Sequence, residues 1–187
     1  MKFTGPIFLL SAMLSSTVLA QTIQLPQLPD GTYLISIGED GKQTYTEITA
    51  SVNATNNAPT PGISSSARLG KRFNWPSNTY PWCPGGDWFL QDDFYNHGWD
   101  AFYASCADGG DHKFPAGTTL ANYQGTSVSY MCSYTANPCR PDEWVDAVNW
   151  AASNCHGRSN GWMEPAYLHV PAWNKRYGYA KVGSSIC

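Results

Sequence analysis

The chain has 187 residues, with 11 Lys and Arg against 14 Asp and Glu and a net charge of −3. That balance lacks the basic footprint of a nucleic-acid binder or of a protein drawn to anionic bilayers, so neither is expected as a partner. Six cysteines and eight tryptophans, all beyond Arg72, mark the second part of the chain as the one that builds a stapled aromatic core.

The first 20 residues have the order of a secretory signal. Lys2 is followed by an apolar stretch from Ile7 to Leu10 that continues through Met13 and Leu14 to Val18 and Leu19. Val18 and Ala20 occupy the small-residue positions of a cleavage site. The run is shorter than the roughly 20 residues of a membrane span, and polar Gln21 follows at once. Residues 1–20 are therefore expected to be a signal peptide cut after Ala20. The product is expected to be secreted into an oxidising extracellular space, with no membrane span.

Residues 21–72 read as a pro-segment. Thr32–Ile37 and Gln43–Ile48 are β-prone runs around Gly38-Glu39-Asp40-Gly41, the pattern of a hairpin. A lone hairpin is marginal in water. It is expected either to pack on the rest of the chain before cleavage or to play no part. Residues 50–69 are rich in Ala, Ser, Thr, Asn, Pro and Gly and cannot bury enough surface to offset their ordering entropy. Asn53 lies in an N-glycosylation sequon there. The stretch ends at Lys71-Arg72, two cations on an accessible backbone, which suits a processing protease of the secretory pathway. Lys175-Arg176 repeats the dipeptide, so position rather than composition favours the first pair.

Residues 73–187 are expected to be the mature cysteine-rich domain. An even number of cysteines in a short secreted chain reads as disulfides: Cys83, Cys106, Cys132, Cys139, Cys155 and Cys187 make three, with 15 possible connectivities. No Cys-x-x-Cys pair is present, so no metal is expected. Gly85-Gly86-Asp87 offers a helix start, and apolar positions at Leu90, Phe94, Ala101 and Phe102 predict a helix over 87–104, interrupted by Gly98. Thr118–Gln124 and Thr126–Cys132 read as strands, with Val128, Tyr130 and Cys132 on one face. Pro141, Asp142 and Glu143 suit a first helical turn. The apolar spacing from Trp144 to Cys155 continues that helix, and His156-Gly157 ends it. Tyr167–Val170 and Tyr177–Val182 read as returning strands. The expected fold is α+β: a small disulfide-stapled α/β sandwich, two helices packed on one face of an antiparallel sheet.

This order resembles that of the virally encoded killer toxins of smut fungi and related small secreted fungal proteins. The shared elements are Cys83-Pro84-Gly85-Gly86 at a helix start, Cys106 before Gly109-Gly110 at its end, and the alternating strand Ser127–Tyr130. Cys132 and Cys139 then lead into a second helix ending at Cys155, and a last strand leads to Cys187. Leu69-Gly70-Lys71-Arg72 resembles the preferred site of kexin-type proteases. The resemblance implies the pairs Cys83–Cys155, Cys106–Cys187 and Cys132–Cys139. It also implies a kexin-processed, effector-like protein that binds a host or microbial target. A killer-toxin-like antimicrobial and a small secreted hydrolase are the alternatives. This chain has fewer cysteines than those toxins and is acidic where they are often basic.

Few residues suggest catalysis. Asp92, Asp93, His97 and Asp100 cluster in sequence, and Asp93 and His97 share a helix face, as a carboxylate-oriented base would. Asp92 or Asp93 with Glu143 or Glu164 would be the carboxylate pairs for glycoside hydrolysis. No Gly-x-Ser-x-Gly, phosphate loop or His-Glu-x-x-His motif is present. No enzyme activity and no cofactor are expected. Binding rests on aromatic faces, with Trp162 and Trp99 as candidate contacts to an extracellular protein or glycan. Trp144 and Trp150 fall on different sides of their helix, so one of them is expected to reach the surface. The protein is expected to be a monomer.

Overall fold

The computed structural model describes residues 22–48, 73–155 and 158–187. Ala20, Asn53, Lys71, Arg72 and the His156-Gly157 helix end lie outside the described residues. In chain order the strands are β1 (Ile23–Gln24), β2 (Gly31–Ile37), β3 (Gln43–Ile48), β4 (Tyr80–Trp82) and β5 (Phe89–Leu90). A π-helical turn, Asp93–Gly98, leads into α1 (Trp99–Gly109). Then follow β6 (Lys113–Phe114), β7 (Thr118–Gln124), β8 (Ser127–Ser133), β9 (Asn137–Pro138) and α2 (Pro141–Asn154). The chain closes with β10 (Arg158–Ser159), β11 (Trp162–Met163), β12 (Ala166–Val170), β13 (Lys175–Lys181) and β14 (Ser185–Ile186).

The main sheet has seven strands in the order β3-β2-β7-β8-β13-β12-β4, all neighbours antiparallel. The fold is α+β, with α1 and α2 on one face, as the hydrophobic periods predict. The hairpin read from Thr32–Ile37 and Gln43–Ile48 exists, but it is no separate appendage. Its first strand pairs with β7 from Gly31↔Tyr123 to Ser36↔Thr118 and so lies inside the sheet. β1 pairs with β14, at the far end of the chain. β2 has its backbone groups satisfied on both edges, which a free hairpin cannot achieve.

Two apolar clusters lie on the two faces of the sheet. Under the helices, Trp99, Phe102 and Trp144 pack with Phe94, Leu120, Met131, Leu168, Tyr177 and Tyr179. Trp144 is fully buried and Trp150 is not, the asymmetry that their spacing implies. On the opposite face, Ile23, Leu25, Tyr33 and Ile35 from the N-terminal segment meet Tyr123, Val128, Tyr130, Ala180 and Ile186.

The first helix differs from expectation at its start and at Gly98. Phe89 and Leu90 pair with Met163 and Trp162 instead of opening a helix, and Gln91 N donates to Gly161 O at 2.8 Å. Gly98 does not end the helix. A Cβ there would lie 3.3 to 3.5 Å from Asp93 O, Ser127 Oγ and Ser129 Oγ, so its small size lets the helix approach β8 closely.

All six cysteines are bonded. Cys83–Cys155 agrees with the pairing the resemblance implies, and its Cα atoms are 5.5 Å apart. The other two implied pairs are replaced by Cys106–Cys139 and Cys132–Cys187, with Cα separations of 4.8 and 5.8 Å. The reason is the pleat. Cys132 shares the helix-free face with Val128 and Tyr130, whereas Cys106 and Cys139 belong to the cluster under the helices. Nearness in sequence cannot bridge two faces of one sheet. Three disulfides in so short a chain suit an extracellular or secreted protein. Among the described residues, no helix is long and apolar enough to cross a membrane.

Candidate functional site: an aromatic and arginine pocket on the open sheet face

The helix-free face is where the sheet meets its surroundings. Pairing register sets its side chains in rows, because directly opposed residues of antiparallel strands share a face. One row runs Tyr80, His169, Arg176, Cys132 across β4, β12, β13 and β8. The next runs Trp82, Tyr167, Gly178, Tyr130. Gly178 makes the second row possible. A Cβ there would fall 2.5 Å from Tyr130 Oη and 2.7 Å from Tyr167 Cβ, so the Tyr130 ring lies across the bare backbone of β13.

Arg176 stands between aromatic rings. Its guanidinium carbon is 4.1 Å from the Tyr167 ring centroid and 5.7 Å from that of Tyr134, a cation–π arrangement. Its buried Nε has no hydrogen-bond partner, and among the described residues no carboxylate forms a salt bridge with it. His169 adjoins it, with its ring 5.4 Å from Tyr80 and 6.3 Å from Tyr134. Burial pushes the phenols of Tyr130, Tyr134 and Tyr167 up, and Arg176 pulls each partly back. All three therefore remain protonated near neutral pH and keep a donor. Burial first, and Arg176 second, push His169 below the usual imidazole range.

A cavity of about 460 Å³ opens over this floor. The 84–87 loop forms one wall and the 184–187 segment another, with Thr22 beside it. The second wall is pinned. Tyr134 Oη donates to Cys187 O at 2.8 Å, and the Cys132–Cys187 disulfide ties it to β8. Leu25 N donates to Ser184 O at 3.0 Å and Gly183 N to Leu25 O at 2.7 Å, so the N-terminal strand holds it from the other side. Tyr80 and Trp82, 46% and 53% exposed on edge strand β4, extend the aromatic surface to solvent.

The residues singled out from sequence are distributed differently. Trp162 is 42% exposed on β11 and free for contact, but it stands outside the residues lining the cavity. Trp99 is 1% exposed in the helix-side core, so as a surface contact it is corrected: its side chain faces Trp144 and Phe94. Asp93 serves the fold. Its Oδ2 accepts from Thr126 N at 2.7 Å and Thr126 Oγ1 at 2.6 Å, closing the β7–β8 turn. From the other side Asp30 accepts from Gly125 N at 2.8 Å. His97 is exposed and Asp92 accepts from Asn96, while Asp100 keeps a buried Oδ1 without a hydrogen-bond partner and burial pushes its carboxyl up, so the structure does not bring these acids and the imidazole together as a carboxylate-oriented base. Glu143 is bound to Lys175 Nζ at 2.7 Å and Tyr177 Oη at 2.9 Å beneath α2. No group of three or more His, Cys, Asp or Glu side chains that could hold a metal occurs among the described residues.

Sequence reading missed Tyr130, Tyr167 and Arg176 as a group. The available signal was the period of two: Tyr167 with His169, and Arg176 with Gly178, alternate on adjacent strands. In the sequence Lys175-Arg176 reads only as a second dibasic pair. On a strand its two cations point to opposite faces, Lys175 into the core at 1% exposure and Arg176 into the pocket. No known protein family matches the chain, and neither a curated protein nor a solved structure is significantly similar to it.

Proposed function

We propose that the protein is a secreted, effector-like binding protein that recognises an acidic glycan through the pocket over Tyr130, Tyr167 and Arg176, without chemistry of its own. The observation that carries this reading is Arg176: a cation stacked on Tyr167, paired with no carboxylate among the described residues, and lining a cavity of ligand size. A guanidinium in that setting is a fixed fork of donors for a carboxylate. The exposed rings of Trp82 and Tyr80 beside it offer the apolar faces on which sugar rings stack. Flat aromatic side chains and a pinned wall lower the ordering cost of binding.

The test is a titration followed by tryptophan fluorescence and calorimetry. Its ligands are an oligosaccharide rich in uronic acid and its neutral, methyl-esterified counterpart. The acidic form should bind at least tenfold more tightly. Arg176→Gln should abolish that preference, and Trp82→Ala should weaken both ligands. Equal binding of the two forms, or acidic binding untouched by Arg176→Gln, would sink the reading.

A further inference from the structure

The dibasic pair Lys71-Arg72 precedes Phe73 in the sequence, and the described residues hold groups that would receive a terminus created there. Phe73 N already donates to Asp146 Oδ2 at 3.2 Å, and Trp75 Nε1 donates to the same oxygen at 2.5 Å. Asp146 stands on α2, so both donors are brought to a rigid element. The Phe73 ring is seated as well, 4.9 Å from Trp75 and 5.7 Å from Trp173 between centroids, with Trp75 and Trp173 in turn 5.4 Å apart. An ordinary linker residue needs neither a carboxylate at its backbone nitrogen nor a three-ring seat.

The other product of such a cut is equally well held. β1, β2 and the residue just beyond β1 contribute Ile23, Leu25, Tyr33 and Ile35, all buried, to the cluster on the open face. Thr32 adds a buried polar tie: its Oγ1 is 2.9 Å from Ser105 Oγ and accepts from Asn122 Nδ2 at 3.0 Å. Residues 22–72 contain no cysteine, so a cut would leave this piece attached by pairing and packing alone.

We propose that hydrolysis of the Arg72–Phe73 bond by a dibasic-specific processing protease yields a two-chain protein. Water supplies the oxygen of the new Arg72 carboxylate, and Phe73 N takes up protons to become an α-ammonium. Asp146 then holds that ammonium as an ion pair, a stronger bond than it makes to the uncut amide. The segment containing β1, β2 and β3 remains docked, so the segment read from sequence as a pro-segment is a permanent subunit. Because β1 braces the 184–187 wall, it also keeps the pocket in shape.

The experiment uses residues 21–187, treated with a kexin-type protease under native conditions, beside an uncut Lys71→Ala/Arg72→Ala control. Terminal sequencing should find Phe73, denaturing electrophoresis two chains, and native mass spectrometry one particle containing both. The Phe73 amine should acylate several-fold more slowly than in Asp146→Asn with matching near-UV circular dichroism. A salt titration of the wild type tests the ion pair without a variant, because screening it should speed acylation. Release of the shorter chain from a still-folded 73–187 would overturn the docking. Amine reactivity indifferent to both Asp146 and salt would overturn the ion pair, and resistance to the protease would overturn the whole proposal.

Discussion

The N-terminal strands and the cystine-bearing body belong to one sheet yet are attached by different physics. The body carries all three disulfides, which constrain its unfolded chain and stabilise it whatever its packing. β1, β2 and β3 have no such help. They stay in place through ladder hydrogen bonds on both edges of β2 and through side chains such as Ile35, which is wholly buried. Covalent stapling therefore marks only part of the sheet, and the cysteine positions alone understate how far the fold extends.

The largest effect is expected inside the body. Lys175→Ala removes the buried cation at 2.7 Å from Glu143 and leaves only the longer Arg140 ion pair at 3.9 Å, a loss of up to about 3–5 kcal/mol in denaturant unfolding with the disulfides intact. If the disulfides alone held the body, that loss would be small. Next comes the N-terminal side. Ile35→Ala should cost about 2–5 kcal/mol and lower the single unfolding transition of the whole protein. A separate early transition for the hairpin would show that the two regions do not fold as one.

Gly178→Ala tests the ground between them, because its Cβ would strike Tyr130 and Tyr167. Overpacking of this kind should cost about 1–3 kcal/mol. The smallest effect concerns pH. His169 has a folded pKa below its ordinary 6.5. Stability is unaffected by this group above that value. As pH falls from there through the folded pKa, the unfolded chain takes the proton first and stability declines. His169→Gln should flatten that slope in pH-dependent melting, and an unchanged slope would assign it to other groups.

Most of the elements were legible. The alternation in Ser127–Ser133 and the Pro-Asp-Glu start of α2 are local signals, and the structure keeps both. The start of α1 was not legible, because the pairing of Phe89 and Leu90 with β11 is decided by residues more than 70 positions away. Tertiary pairing of that kind overrides a helical period. The site was the least legible part. Trp162 and Trp99 are both large aromatics, but a tryptophan's size says nothing about which side of the core it occupies.

By itself, then, the sequence determined the class of the molecule: an α+β chain with paired cysteines, a hairpin before a polar linker, and strands whose alternation assigns each residue a face. These follow from periods and turn residues, which act over a few positions. Only the tertiary structure decided which cysteines meet, that the hairpin is the flank of the main sheet, and that Arg176 stands over Tyr167 while its neighbour Lys175 is buried. Those outcomes depend on which strand lies beside which and on which face the helices cover. Long-range pairing sets both, and no local pattern encodes it.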